Sequence, residues 1–149
     1  MPAVANASNR FDRWTRIATV ALITGATAWL AKLVVIVAAD GADSGAVNAA
    51  ESAFFVLGFV LLLAGSCAVG LWLTRGRGPV VRIVAALLAP VTFLVSMQLL
   101  LPAGEAMVGD RGPDYVREES GIFLTAVLWL VLGVLVAISS RPPHRPATR

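Results

Sequence analysis

The residues of this sequence that could do chemistry are few, and the most prominent is a lysine inside an apolar stretch. Lys32, the only lysine of the chain, falls within residues 17–39, which contain no other charge. An ionisable side chain is costly inside a membrane, so it reaches the surface, pairs with another group or serves a function. A fixed positive charge at this depth would suit contact with a carboxylate of the protein or with an anionic solute.

Four other polar residues fall at depths from which they could meet this lysine. Ser96 and Gln98 lie toward the outer end of the third apolar stretch, and Glu51 and Glu119 open the second and fourth. With Lys32 they form a candidate polar site, in which we expect Lys32 to face the helix bundle beside a glutamate or Gln98. The alternative is that the lysine stem covers about half of the roughly 10 Å to the outer surface and places its ammonium there.

No combination of residues predicts catalysis, a metal site or a cofactor. The sequence has no His, Asp and Glu cluster with metal-ligand spacing, no nucleophile beside a base and no phosphate-binding glycine pattern. Cys67 is the only cysteine, which excludes an intramolecular disulfide and a thiol oxidoreductase that needs a cysteine pair. We therefore expect a protein that is not an enzyme.

Four long apolar stretches must position these residues. Apolar residues make up 58% of the chain and charged ones 14%, against roughly 25% charged in soluble domains. About 20 apolar residues cross the roughly 30 Å hydrocarbon core as a helix, and none of the stretches alternates as a barrel strand would. The composition predicts one all-α integral membrane domain over residues 1–149, a four-transmembrane-helix bundle. Its spans are residues 17–39, 52–73, 83–101 and 121–138.

The limits of three of these helices carry specific signals. A cleaved signal peptide is the alternative for residues 17–39, but their length exceeds the 7–15 residues of a signal-peptide core, so we predict a retained helix. Asn48 and Glu51 have the form of a capping box, so the second helix is expected to begin there. Pro90 is expected to kink the third helix, and Pro102 to lie where it ends.

The charges sort with the four spans, which predicts orientation. Arginine dominates the segments before the first span, between the second and third, and after the fourth, while acids dominate the other two connections. The positive-inside rule then places both termini and the middle loop in the cytoplasm. The pI near 10 comes from arginines that are distributed according to this topology, so we expect no nucleic-acid partner. The arginines of the three segments placed in the cytoplasm are Arg10, Arg13, Arg16, Arg75, Arg77, Arg82, Arg141, Arg145 and Arg149.

The segment before the first span has the pattern of a membrane-surface helix. Arg10, Arg13 and Arg16 recur every third residue, with Phe11 and Trp14 between them. Aromatic rings settle at the headgroup level and arginines attract anionic lipid headgroups, which we expect as partners here. A protein-docking helix is the alternative.

Small residues predict where the helices pack. Gly25, Ser66, Gly70 and Gly133 lie within the spans, and small residues let membrane helices approach closely. Residues 51–65 also align with residues 119–133 without a gap, matching at Glu, Ser, Phe, Leu and Gly. A duplication would give two parallel-repeat hairpins, and chance matching within a small apolar alphabet is the alternative.

Two functions remain open after the exclusion of catalysis. The first is a small polytopic plasma- or inner-membrane protein that acts through helix contacts, as an accessory, assembly or scaffold subunit or as a homo-oligomer. The second is a small oligomeric transporter or channel with Lys32 in an outer-leaflet site for an anionic or polar solute. Arginine in place of lysine in an Ala-, Val- and Gly-rich chain indicates a GC-rich, bacterial source.

Overall fold

The protein is built from four long helices. The computed structural model describes residues 2–40, 44–109 and 113–139, with side chains from residue 13 onward. Its helices are α1 (Pro2–Ala38), α2 (Gly45–Leu73), α3 (Pro79–Val108) and α4 (Asp114–Ser139). The all-helical prediction with four long apolar helices is confirmed.

Each helix has an apolar segment long enough to cross a membrane. The shortest of these segments have 26 residues, which at 1.5 Å per residue span about 39 Å against a hydrocarbon core of roughly 30 Å. Length and composition therefore indicate a multi-pass membrane protein. The predicted spans lie inside these helices, except that α1 ends at Ala38, one residue before the predicted limit.

Two predicted helix limits were wrong. Helix α2 begins at Gly45, because Ser44 is its N-cap and the Ser44 hydroxyl accepts a hydrogen bond from Val47 N at 3.3 Å, so Glu51 lies in the second turn. Helix α3 continues through Pro90 and Pro102 to Val108. A proline removes only one backbone donor, and in apolar surroundings the other backbone groups are satisfied only if the helix goes on.

The helices form an antiparallel up-down-up-down bundle. Each helix packs against its neighbours in the chain, and α4 also packs closely against α1, as in simple four-helix bundles. The α2–α3 turn is short and uses Gly76 at φ +76°.

The two ends of the bundle differ in charge. We call the end with the α1–α2 and α3–α4 connections the acidic end, since it carries Asp40, Glu105, Asp114 and Glu118. The opposite end, where α1 starts and α4 stops, is the basic end, and it carries Arg13, Arg16, Arg75, Arg77 and Arg82.

Close approach of backbones holds the bundle together. A Cβ on Gly70 would lie 2.4 Å from the Ala85 carbonyl oxygen, and one on Gly133 would lie 3.0 Å from Leu22 Cβ. Glycine thus permits close contact of α2 with α3 and of α4 with α1, and at Gly70 a larger residue would clash with the α3 backbone. The predicted packing residues Gly25 and Ser66 are buried as well, and the Ser66 hydroxyl donates to the Leu63 carbonyl at 2.8 Å.

Candidate functional site

The buried lysine forms an ion pair between the first and last helices. Lys32 Nζ lies 2.5 Å from Glu119 Oε1, and the two side chains are only 9% and 22% exposed. Helix α1 supplies the ammonium, and the second turn of α4 supplies the carboxylate. The pair therefore ties α1 to α4 on the acidic side of the bundle centre.

The contact between α1 and α4 explains why these two residues meet. Gly133 packs against Leu22 and Ile23, which fixes the antiparallel register. Counting from that contact, Lys32 lies about one helical turn, roughly 6 Å, deeper than Glu119. The lysine stem spans this distance, so Lys32 extends toward the acidic end and stops at the carboxylate.

Aromatic rings form the wall beside the ammonium. Lys32 Nζ lies 5.6 Å from the centroid of the Phe55 ring, a cation–π distance. Phe55 stacks on Trp29, with centroids 5.7 Å apart and planes 2° from parallel. The Trp29 indole donates to the Phe55 carbonyl at 3.0 Å, so α1 and α2 hold this wall in place.

The aromatic wall continues across the bundle interior. Phe93 of α3 contacts Trp29 at a centroid distance of 5.8 Å and meets Trp129 of α4 edge-to-face at 5.4 Å. Trp29 and Phe93 are fully buried. Gly58 makes room for this arrangement, because a Cβ there would lie 2.1 Å from Trp29 Cδ1.

One atom of the ion pair has no partner. Glu119 Oε2 is buried and accepts no hydrogen bond from any described residue. A carboxylate accepts several hydrogen bonds and an ammonium has three donors, while the pair itself uses one of each. The site can therefore bind one further small polar group or a water molecule.

Lys32 faces the bundle beside a glutamate, as expected, and the other three members of the predicted polar site form no hydrogen bond or ion pair with Lys32 or Glu119 among the described residues. The Ser96 hydroxyl donates to the Phe93 carbonyl at 2.7 Å and accepts from the Trp129 indole at 2.9 Å, which links α3 to α4. Glu51 is half-buried and forms no hydrogen bond or ion pair with a described residue. Gln98 is exposed, and it too has no partner among the residues the structure describes.

Helix geometry explains the position of Gln98. Phe93 is the one large α3 side chain that is fully buried, and Gln98 follows it by five residues. Five residues at 3.6 per turn place Gln98 about 140° around the helix from Phe93. The amide therefore lies on the outer face of α3, away from Lys32.

The aromatic residues that surround the lysine were absent from the predicted site. Trp29 and Phe55 were not among the predicted site residues, although Trp29 precedes Lys32 by three residues and therefore shares its helix face. That spacing was the available signal. Phe55 could be placed only once the α1–α2 contact was known.

The basic end carries aromatic and arginine side chains, as a membrane interface does. Arg13 and Arg16 are exposed, while the side chain of Arg10 lies outside the described residues. Trp72 Nε1 and Arg82 Nε are buried donors without a partner in the described part of the chain. Contact with anionic lipid headgroups stays a prediction here.

Comparison with known proteins adds no family or relative to this description. No family model matches the chain, and no curated protein or solved structure is significantly similar to it. Within the residues that the structure describes, no three His, Cys, Asp or Glu side chains are grouped to hold a metal ion.

Proposed function

We propose that this chain is a small, non-enzymatic, multi-pass membrane protein that acts through contacts of its helices with another membrane protein or with copies of itself. The observation that carries the proposal is the Lys32–Glu119 pair. Lys32 is the only charged residue within residues 17–39, and its ammonium pairs within the chain and links α1 to α4. Apart from the buried Glu119 Oε2 atom, we expect the groups left for recognition to lie on the outside of the bundle.

The packed interior supports this proposal. Trp29, Phe93, Leu22, Leu62 and Val136 are the largest of the fully buried apolar side chains, and together they come from all four helices. A solute that crossed between the helices would have to displace these side chains. Interiors of native density resist such displacement, which favours an interaction protein over a transporter.

The proposed orientation follows from the two ends of the bundle. Arginine at the basic end places that end in the cytoplasm by the positive-inside rule, and the acidic end then faces outward across a plasma or inner membrane. Reporter fusions near Gly76 should give a cytoplasmic signal, and fusions near Gly109 an external one. A cytoplasmic signal near Gly109 would contradict this orientation.

A small oligomeric transporter is the second candidate, and the open Glu119 oxygen favours it. A polar solute with a donor group could bind Glu119 Oε2, which is buried and without a described partner. An anionic solute is less well matched, because it would compete with the Glu119 carboxylate for Lys32. Under this proposal Lys32 and Glu119 would bind solute in the outer leaflet.

Purification of the tagged full chain in mild detergent tests the two candidates. Mass spectrometry and light scattering should find a stoichiometric membrane partner or a defined number of copies. Lys32→Met replaces the ammonium with an apolar group of similar length. Under the interaction proposal this variant should reduce the yield of folded protein, and neither it nor the wild type should carry a solute across the membrane. A chain that binds no other membrane protein, whether one copy or several, but carries a polar solute into proteoliposomes and loses that flux with Glu119→Gln would overturn the interaction proposal.

A further inference from the structure

We infer that two copies of this chain associate through the outer face of α3, with the Gln98 amides hydrogen-bonded to each other across the interface. This inference rests on the proposed function and names the partner as a second copy. It depends on three features of α3: its exposure, the spacing of its exposed residues and the depth of Gln98.

Helix α3 is the least covered of the four. In its most apolar window only 6% of the residues are buried, against 44% for α1. Phe93 and Gly104 are its only buried residues within the described ranges. Most of α3 therefore faces outward from the bundle, toward lipid or toward another protein.

The exposed residues of α3 include a seam with coiled-coil spacing. Steps of three and four residues join its apolar members, each 47–57% exposed, and lead to Gln98. This 3.5-residue period keeps one seam facing a parallel partner helix, and most membrane helix pairs cross at a similar angle. The seam consists of Val81, Val84, Leu88, Val91, Val95 and Gln98.

Gln98 gives this seam a group that lipid cannot satisfy. It lies seven residues before Glu105 and sixteen after Arg82, the charged residues toward the two ends of α3. It is therefore about 10 Å inside the apolar segment at 1.5 Å per residue. An amide offers two donors and an acceptor, and in hydrocarbon these groups are satisfied only by protein.

Pro102 removes a backbone hydrogen bond at the same place. It lies one turn beyond Gln98 and is also exposed. Because proline has no N–H, the Gln98 carbonyl does not receive the hydrogen bond that residue 102 would otherwise donate. Residue 98 thus lacks one helical hydrogen bond beside its side-chain amide.

A second copy fits this pattern because insertion fixes its direction. Two copies inserted alike are related by an axis along the membrane normal, so their Gln98 residues lie at one depth. An amide is both donor and acceptor, so two facing amides satisfy each other in an isologous contact. A single polar residue in an apolar seam also fixes the register of the two helices.

Association of the full chain in lipid vesicles tests the inference. Copies labelled separately with donor and acceptor fluorophores should show energy transfer that falls on dilution with lipid. Gln98→Leu removes both symmetry-related bonds and should raise the dissociation constant roughly 8- to 300-fold, the value of two membrane hydrogen bonds. Gln98→Asn should retain part of the affinity. Thr27→Val is the matched control, because Thr27 is also exposed but its hydroxyl already donates to the Ile23 carbonyl.

Oxidative cross-linking gives an independent measurement on the folded protein. In a Cys67→Ser background, Val91→Cys and Val95→Cys on the seam should form disulfides between copies. Val131→Cys, which is 51% exposed on α4, should not. Equal cross-linking at Val131 and Val95 would overturn the inference, as would affinity unchanged by Gln98→Leu.

The outcomes separate this inference from the proposed function. If wild-type copies show no energy transfer while the tagged chain purifies with a different membrane protein in fixed ratio, self-association is overturned and the interaction function stands. If neither copies nor another protein associate with the chain, both fail.

Discussion

Helices α1 and α3 resemble each other in sequence and differ in their surroundings. Each has an apolar window of similar mean hydropathy, 2.1 and 2.2, and each carries one strongly polar residue within it. Lys32 of α1 is buried and bonded to Glu119, whereas Gln98 of α3 is exposed and unbonded among the described residues. Hydropathy alone thus cannot distinguish a polar residue that is buried and bonded inside the bundle from one that faces outward.

The difference comes from the small residues along each helix. Helix α1 has Ala18, Ala26 and Gly25 on buried positions, so α2 and α4 approach it closely along its length. Helix α3 makes its close backbone contacts near its two ends, where Gly70 meets Ala85 and Gly104 meets α4. Between those contacts Val and Leu side chains face outward.

Removing the lysine from α1 should have the largest effect on stability. Lys32→Met leaves the Glu119 carboxylate buried and unpaired, which typically costs about 3–5 kcal/mol of unfolding free energy. The double variant with Glu119→Gln should recover part of this loss, as measured by unfolding in mixed detergent micelles. Glu51→Gln is the matched control, since Glu51 occupies the aligned position on α2 but has no described partner.

If Lys32→Met leaves stability unchanged, or if Glu51→Gln rescues it as well as Glu119→Gln, the buried pair does not hold α1 to α4. The contrast with α3 would then disappear.

Crowding the contact between α1 and α2 should have the next largest effect. Gly58→Ala places a methyl group 2.1 Å from Trp29 Cδ1, and such overpacking costs about 1–3 kcal/mol. Gly45→Ala is the control, because nothing lies within 4 Å of a Cβ at that position. A thermal melt followed by tryptophan fluorescence should show a lower Tm for the first variant only.

Breaking the link from α3 to α4 should cost less. Trp129→Phe removes the hydrogen bond to the Ser96 hydroxyl and keeps an aromatic ring against Phe93, so we expect a loss of about 1 kcal/mol. Trp72→Phe should cost less than this, because Trp72 Nε1 has no described partner to lose. Equal losses from the two variants in the same unfolding assay would show that ring size, and not the Ser96 bond, stabilises this contact.

Substitution on the outer face of α3 should have the smallest effect on a single copy. Gln98→Leu removes no bond to a described residue, so the unfolding free energy of the monomer should change by less than about 0.5 kcal/mol. The measurement uses protein diluted in detergent until light scattering shows single copies. A large loss of unfolding free energy under these conditions would show that Gln98 stabilises the single copy, as Lys32 is expected to do.

The sequence predicted the helices better than it predicted their faces. Four spans follow from length and composition. The similar depths of Lys32 and Glu119 also allowed their contact to be predicted, and the two side chains do form an ion pair. The outward position of Gln98 could not be predicted, because α3 is apolar around its whole circumference and no stripe marks its inner face. The continuation past Pro102 was missed for a related reason: in apolar surroundings, the lack of water outweighs the local preference of proline.

The Lys32–Glu119 pair also has a consequence for the order in which the protein is made. The two residues are separated by 87 positions, and ribosomes add about 5–20 residues per second. On the order of 4–17 s therefore pass between the synthesis of Lys32 and the synthesis of Glu119. During that interval an unpaired ammonium is costly in the apolar core, so we expect the first helix to reach its final depth only after the fourth has been inserted.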